Sequence, residues 1–204
     1  MHTFFATLLS ISVSSIFFTT VRADEPLKPD ANGYIRHWLM LAPIGLPENR
    51  AGGDLILEEQ IKNEASLQPK ANDKVTIRGK EHNWKPIVAS TNHFDFNVIL
   101  NSVNDHAVGY MATYIESAVE LKDVIIAVGS NDEGRIYFNG IDIYAFTEAR
   151  PLELDADKGK VTLKKGLNVI IFKIFNEQNS WQGAMRFLDK SGVPLTNLTV
   201  KLSP

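Results

Sequence analysis

SNDEGRIYFNGIDIYAF, residues 130–146, is the stretch whose reading decides the fold. Two short apolar runs meet at Asn139-Gly140. Both of those residues tolerate positive φ, so a two-residue type I′ turn joins the runs into a hairpin. That turn sets Phe138 opposite Ile141, Tyr137 opposite Asp142, Ile136 opposite Ile143 and Arg135 opposite Tyr144. Side chains alternate faces along a strand. Ile136, Phe138, Ile141 and Ile143 are therefore expected on the core face, with Arg135, Tyr137, Asp142 and Tyr144 on the other. A one-residue slip would expose four large apolar groups, at about 1.5–3 kcal/mol each, so the pattern enforces its own register.

The neighbouring sequence repeats the theme. VGYMATYIES (108–117), KDVIIAVGS (122–130), KVTLKKG (160–166), NVIIFKIFN (168–176), GAMRFLD (183–189) and LTVKL (198–202) read as short strands. Glycine, asparagine, aspartate or proline separates most of them, the spacing of an all-β sandwich or barrel. In 168–176, Ile170, Phe172 and Ile174 share one face; Val169, Ile171 and Phe175 make the other apolar too, interrupted only by Lys173. A strand apolar on both sides is expected to be central, its outer face covered by a helix or by the segment around Trp38. Upstream, YIRHWLML (34–41) starts a strand that APIGLPENRAGG (42–53) breaks. DLILEEQIKNEASL (54–67) carries Leu55, Ile56, Glu58, Glu59, Ile61 and Ala65 at roughly helical spacing, which predicts one short amphipathic helix. KVTIRGKEHNWKPIV (74–88) reads as two strands around Gly79, and NHFDFNVIL (92–100) as a strand or a covering loop. With no repeat and no second shift of composition, a single domain over residues 35–204 follows, behind a polar leader at 24–34.

The chain of 204 residues is 44% hydrophobic, carries a formal net charge of −3 and contains no cysteine. That balance excludes the concentrated basic surface nucleic acid demands. It also leaves no polybasic block for an anionic membrane. The absence of cysteine removes thiol nucleophiles, disulfides and Cys-type zinc sites. Residues 4–18 are apolar and hydroxyl-rich without a charge, followed by Val21, Ala23 and a polar exit. A secretory signal over residues 1–23, cleaved after Ala23, is expected, the alternative being an uncleaved N-terminal anchor. Either reading places the domain outside the cytoplasm, secreted or periplasmic, with no membrane span in the mature chain.

Catalytic patterns are scarce. His82, His93 and His106 lie in one region with Asp95 and Asp105, but no pair has metal-ligand spacing. Structural calcium, which takes loop carboxylates and carbonyls, could draw on SNDEG (130–134) or NDH (104–106); no other cofactor is indicated. Asp132, Glu133, Glu148, Asp155 and Asp157 are carboxylates in expected turns, where solvated charge explains them without glycosidase chemistry. There is no Gly-x-Ser-x-Gly elbow, and AGG (51–53) and RGK (78–80) lack the spacing of a phosphate loop.

Gly129-Ser130, Asn139-Gly140, Lys165-Gly166-Leu167-Asn168, Lys173, Asn176 and a loop containing Trp181 together form a pattern. It resembles the jelly-roll sugar-binding domains of the galactose-binding-like superfamily, which accompany glycoside hydrolases. The resemblance covers roughly residue 35 to the C-terminus. It implies a jelly-roll β-sandwich with one short helix and a non-catalytic module, secreted by bacteria, that binds glycan or cell-envelope material. A sugar site needs an aromatic platform and planar polar groups. Trp181 flanked by Asn179 and Gln182 is one candidate, unless the indole folds over the sandwich end. Arg135 with Tyr144 is a second, unless they form an ordinary cation–π pair, and Asp132 is the nearby carboxylate. Trp38 and Trp84 are expected in the core. A structural or protein-interaction module of the cell surface and a hydrolase of sugars or their esters are the alternative functions.

Overall fold

A computed structural model describes residues 26–204. The expected signal segment lies outside the described residues. The strands are β1 (His37–Gly45), β2 (Lys74–Ile77), β3 (Lys80–Asn83), β4 (Lys85–Val88), β5 (Phe94–Asp95), β6 (Ala107–Ser117), β7 (Leu121–Asn131), β8 (Gly134–Phe138), β9 (Ile141–Phe146), β10 (Asp157–Leu163), β11 (Gly166–Asn176), β12 (Gln182–Leu188) and β13 (Thr199–Lys201). One sheet runs β4-β1-β6-β11-β8-β9, with β13 also on β6; the other runs β10-β7-β12-β5. The chain is an all-β sandwich.

Between the sheets lies an apolar core that includes Trp38, Phe94, Phe96, Met111, Ile136, Phe172, Trp181 and Phe187. A second core lies on the outer face of the larger sheet, where Tyr110, Tyr114, Tyr137, Ile171 and Phe175 are covered by residues from the 46–84 excursion. That excursion contains α1 (Gly52–Leu57), a 3₁₀ turn at Glu64–Ser66 and the β2–β3 hairpin. It explains why β11 is apolar on both faces. Trp38 is not part of that cover; it is buried between the sheets, while Trp84 belongs to the outer layer.

The single amphipathic helix expected over 54–67 is two shorter pieces, and a second α-helix, α2 (Phe96–Leu100), follows β5. Lys173 accounts for the break. Its Nζ donates to the Glu58 carbonyl at 2.5 Å and pairs with Glu64 at 3.0 Å, and both side chains of that pair are fully buried. The chain leaves the helix at Glu58 and bends through Asn63 in the left-handed region (φ 58°), which brings both groups onto one ammonium. Glu64 also accepts from the hydroxyls of Tyr110 and Tyr137 and from the amide of Gln60. Burial pushes the Lys173 ammonium below its ordinary pKa, with Glu64 opposing the shift. The one polar interruption of β11 is thus the centre of a satisfied buried network.

The β8–β9 hairpin has Asn139 and Gly140 at φ 51° and 82°, as a type I′ turn requires. Phe138 pairs with Ile141 and Tyr137 with Asp142, as the turn predicts. A bulge then shifts the register, so that Ile136 faces Tyr144 and Arg135 faces Ala145. The extra residue turns Tyr144 toward the inter-sheet core, and Ile141, on the edge strand at the tip, is 65% exposed. The segment read as a polar leader is also joined to the fold: Leu27 bridges Val200 and Tyr34 bridges Arg186.

Candidate functional site

Which strands change sheets determines where the polar groups gather. β7 passes to β8, β9 to β10 and β11 to β12 by crossing between the sheets, and all three crossings lie at one end of the sandwich. Residues 131–133, 147–156 and 177–181 therefore converge there, together with α1. Between the first and third crossings is an open cleft of about 330 Å³, lined by Asn131, Asp132, Ala149, Arg150, Pro151 and residues 177–180. A groove of about 530 Å³ continues from it past Ala149 and Glu177 toward α1, where Glu133, Asp54, Glu148 and Leu57 line it.

Hydrogen bonds hold the cleft open. The Asp132 carboxylate accepts from the amide of Glu177 at 2.9 Å, and the Asn131 amide donates to the Arg150 carbonyl at 2.8 Å. Arg150 donates to Asp157 at 2.6 Å and to the Tyr144 hydroxyl at 2.7 Å, and its guanidinium lies 3.6 Å over the Phe146 ring. The amide of Asn179 donates to Asp105 at 3.0 Å. Burial raises the Asp132 carboxyl above its ordinary range, against the pull of the Glu177 amide. Glu133, 1% exposed, is pushed up to about 7, chiefly by desolvation, with the Glu177 and Asp132 carboxylates adding to the effect.

Polar satisfaction is uneven across the molecule. Among the described residues, the buried side-chain atoms without a hydrogen-bond partner belong to His106, Asn131, Glu133, Arg150 and Asn176, all at this end. Buried polar groups in folded proteins are nearly always paired. Of these, Asn131 and Arg150 line the cleft and Glu133 lines the groove beside it.

The candidates named from sequence separate on this surface. Asp132 and Asn179 line the one cleft. Gln182 stands behind it, paired across the sheet with Asn131 and donating to Asp95 at 2.8 Å. Trp181 is fully buried, stacked on Phe96 at 4.2 Å between ring centroids, its N–H given to the Ile174 carbonyl. The indole has no free face to offer a sugar ring, in line with the alternative of a tryptophan folded into the sandwich end. Arg135 and Tyr144 are not a pair, because the bulge sends them to opposite faces. Arg135 lies under the outer layer, bonded to Asp142 and to the Leu57 carbonyl and stacked over Tyr137; Tyr144 supports Arg150 from within. Arg150 and Glu177 were not among the candidates, and Glu133, expected as a solvated turn carboxylate, is instead buried. The sequence signal for them is three turn segments rich in amide and carboxylate side chains, which become a site only once the crossings share an end. For calcium, no group of three or more His, Asp or Glu side chains among the described residues is gathered to hold a metal ion, so the expectation finds no carboxylate cage.

No protein-family model and no curated protein matches the chain. Solved structures with a similar chain path include a PA14 sugar-binding domain from an RTX adhesin, at 10% identity and a TM-score of 0.43, covering 80% of this chain and 96% of that one. The PA14 domain of the MpAFP antifreeze protein is another, at 9% identity and a TM-score of 0.42, covering 89% of this chain and 98% of that one.

Proposed function

We propose that this protein is an exported, non-catalytic module that binds carbohydrate in the cleft at the crossover end. The observation that carries the reading is the convergence of planar amide, carboxylate and guanidinium groups on an open cleft, with Asn131 Oδ1 and Arg150 Nε left unpartnered. A sugar hydroxyl both donates and accepts, so vicinal hydroxyls match amide and carboxylate edges taken together. The lining residues include no aromatic side chain, so recognition rests on hydrogen bonds and affinities in the weak range are expected. The export signal proposed for residues 1–23 places the module outside the cytoplasm, and N-terminal sequencing of the mature protein checks the cut after Ala23.

A glycan array followed by calorimetry tests the reading. Asn179→Ala and Asn131→Leu should each weaken any binding found by about tenfold, the worth of one or two hydrogen bonds to a ligand. No binding to any glycan at millimolar concentration would remove it. One observation favours hydrolysis instead: Glu133, titrating near 7 beside Asp132 and Glu177, has the environment of a general acid. Turnover of chromogenic glycosides, lost in Glu133→Gln, would replace binding with catalysis.

A further inference from the structure

The groove that continues the cleft has a marked charge. Asp54 on α1, Glu133 at the β7–β8 crossing, Glu148 after β9 and Glu177 after β11 line it, and no basic side chain does. The nearest cations are spent elsewhere: Arg150 on Asp157, Arg135 on Asp142, Arg50 on Glu58 and Lys173 on Glu64. Four carboxylates from four separate elements would on their own be a solvated face. Glu133 makes the groove more than that. It is 1% exposed, it lines the groove, and its Oε2 has no protein donor, its carboxyl facing only the carboxyl of Glu177, with which it can at most share a proton.

The Ala51-Gly52-Gly53 stretch is built around that carboxyl. A Cβ on Gly52 would come within 2.5 Å of Glu133 Oε1 and 2.6 Å of the Phe175 ring, and one on Gly53 would collide with the Thr147 carbonyl. Two glycines thus let α1 close down on Glu133 and on the 147–149 wall. The pair, which reads as no phosphate loop, shapes an acidic slot with an orphaned carboxylate oxygen at its base. An isolated carboxylate in such a place is costly. A ligand ammonium, with three donors and a positive charge, completes it.

We infer that this groove is a subsite for a primary ammonium group, and that the glycan bound in the adjoining cleft carries a free amine: a deacetylated amino sugar. The inference rests on the carbohydrate reading and narrows its substrate class. An N-acetyl group would bring a neutral amide into the groove and leave Glu133 without a cation, whereas an ammonium satisfies Glu133, with Glu177 and Glu148 adding to the negative field along the groove.

The test is calorimetry at pH 7 in amine-free buffer with glucosamine oligomers and their N-acetylated counterparts. The amine form should bind about tenfold or more tightly than the acetylated form, the scale of one charge-assisted hydrogen bond. Glu133→Gln should erase that preference while leaving a folded protein, which its thermal transition confirms. Glu148→Gln, on an exposed position, should reduce the preference partially and guards against a folding artefact. If neutral or acetylated oligomers bind equally well, the ammonium subsite is overturned and the carbohydrate reading stands. If no saccharide binds, both fall. If lysine peptides bind in a Glu133-dependent way and no amino sugar does, the occupant is a protein. If calcium chloride alone gives the Glu133-dependent heat and amines give none, the groove is a metal site and the inference is refuted.

Discussion

Replacing Glu133 with glutamine should make the protein more stable, and by an amount set by pH. The carboxyl is nine-tenths or more buried and titrates at about 7 in the folded chain, against an ordinary 4.5. Its cause is desolvation, with Glu177 on the facing loop raising it further by charge and by a hydrogen bond to the protonated form, and Asp132 on the same turn by charge; Asp54 and Glu148 line the same groove. Between those two pH values the folded protein holds a proton that the unfolded chain has lost. Stability therefore falls as pH rises through the window from about 4.5 to about 7, and levels off above it. A difference of about 2.5 pH units corresponds to about 3 kcal/mol. Glutamine matches the neutral acid in shape and cannot ionise, so Glu133→Gln should be near-neutral at pH 4. At pH 8 it should be stabilising by about 3 kcal/mol, a Tm higher by roughly 6–12 °C for a domain of this size. Urea unfolding of both proteins at pH 4, 6 and 8, in amine-free and calcium-free buffer, measures it. A variant less stable at pH 8, or a difference that does not change with pH, would refute the account of Glu133 as a buried carboxyl with no basic partner.

Trp181→Ala should cost about 3–5 kcal/mol, the range for deleting a large buried aromatic, read by urea unfolding; a loss under about 1 kcal/mol would contradict its burial against Phe96. Lys173→Met strands the Glu64 charge and should cost about 3–5 kcal/mol, whereas Lys173→Met with Glu64→Leu should recover much of it, because removing both buried charges spares the desolvation of either. Equal losses in the single and double variants would show that the ion pair is not coupled. Asn168→Leu should cost several times more than Asn131→Leu in the same unfolding assay, at about 1 kcal/mol per hydrogen bond lost.

Local patterns were readable where the physics is local. The type I′ turn at Asn139-Gly140 follows from two residues that tolerate positive φ, and the burial of β11 on both faces from its unbroken apolar run. Three readings went astray because their causes are distant. The 54–67 stretch has helical spacing, but Lys173, more than a hundred residues later in the chain, draws the Glu58 carbonyl and the Glu64 carboxylate to one point and breaks it. The presence of a lysine in the midst of an apolar strand was the available signal, since a buried ammonium demands an acid from elsewhere. Trp181 sits among polar residues in sequence, yet its neighbours at 177–180 reach the surface while the indole turns inward onto Phe96. The hairpin bulge moved Tyr144 to the other face without any mark in the alternation. The cleft was unreadable for a different reason. Which strands change sheets is a property of the whole topology, and only that property brings Asp132, Arg150 and Glu177 together.

The two ends of the sandwich treat the same problem in opposite ways. Every crossing between sheets leaves backbone and side-chain polar groups outside the strand ladders, and they must find partners. At the end of the β10–β11 and β6–β7 connections they do. Asn168 bonds the Lys164 amide, the Lys164 and Gly166 carbonyls and the Asn139 side chain, and Ser117 bonds the Val119 carbonyl. At the other end, equally buried groups of Asn131, Glu133 and Asn176 keep atoms with no partner, and Glu133 is held at a pKa near neutrality that weakens the fold. The same chain that seals one end with a single asparagine has the residue types to seal the other. Under the proposed carbohydrate reading, these are the groups a ligand would complete, and their confinement to the end where the cleft opens is what that reading predicts.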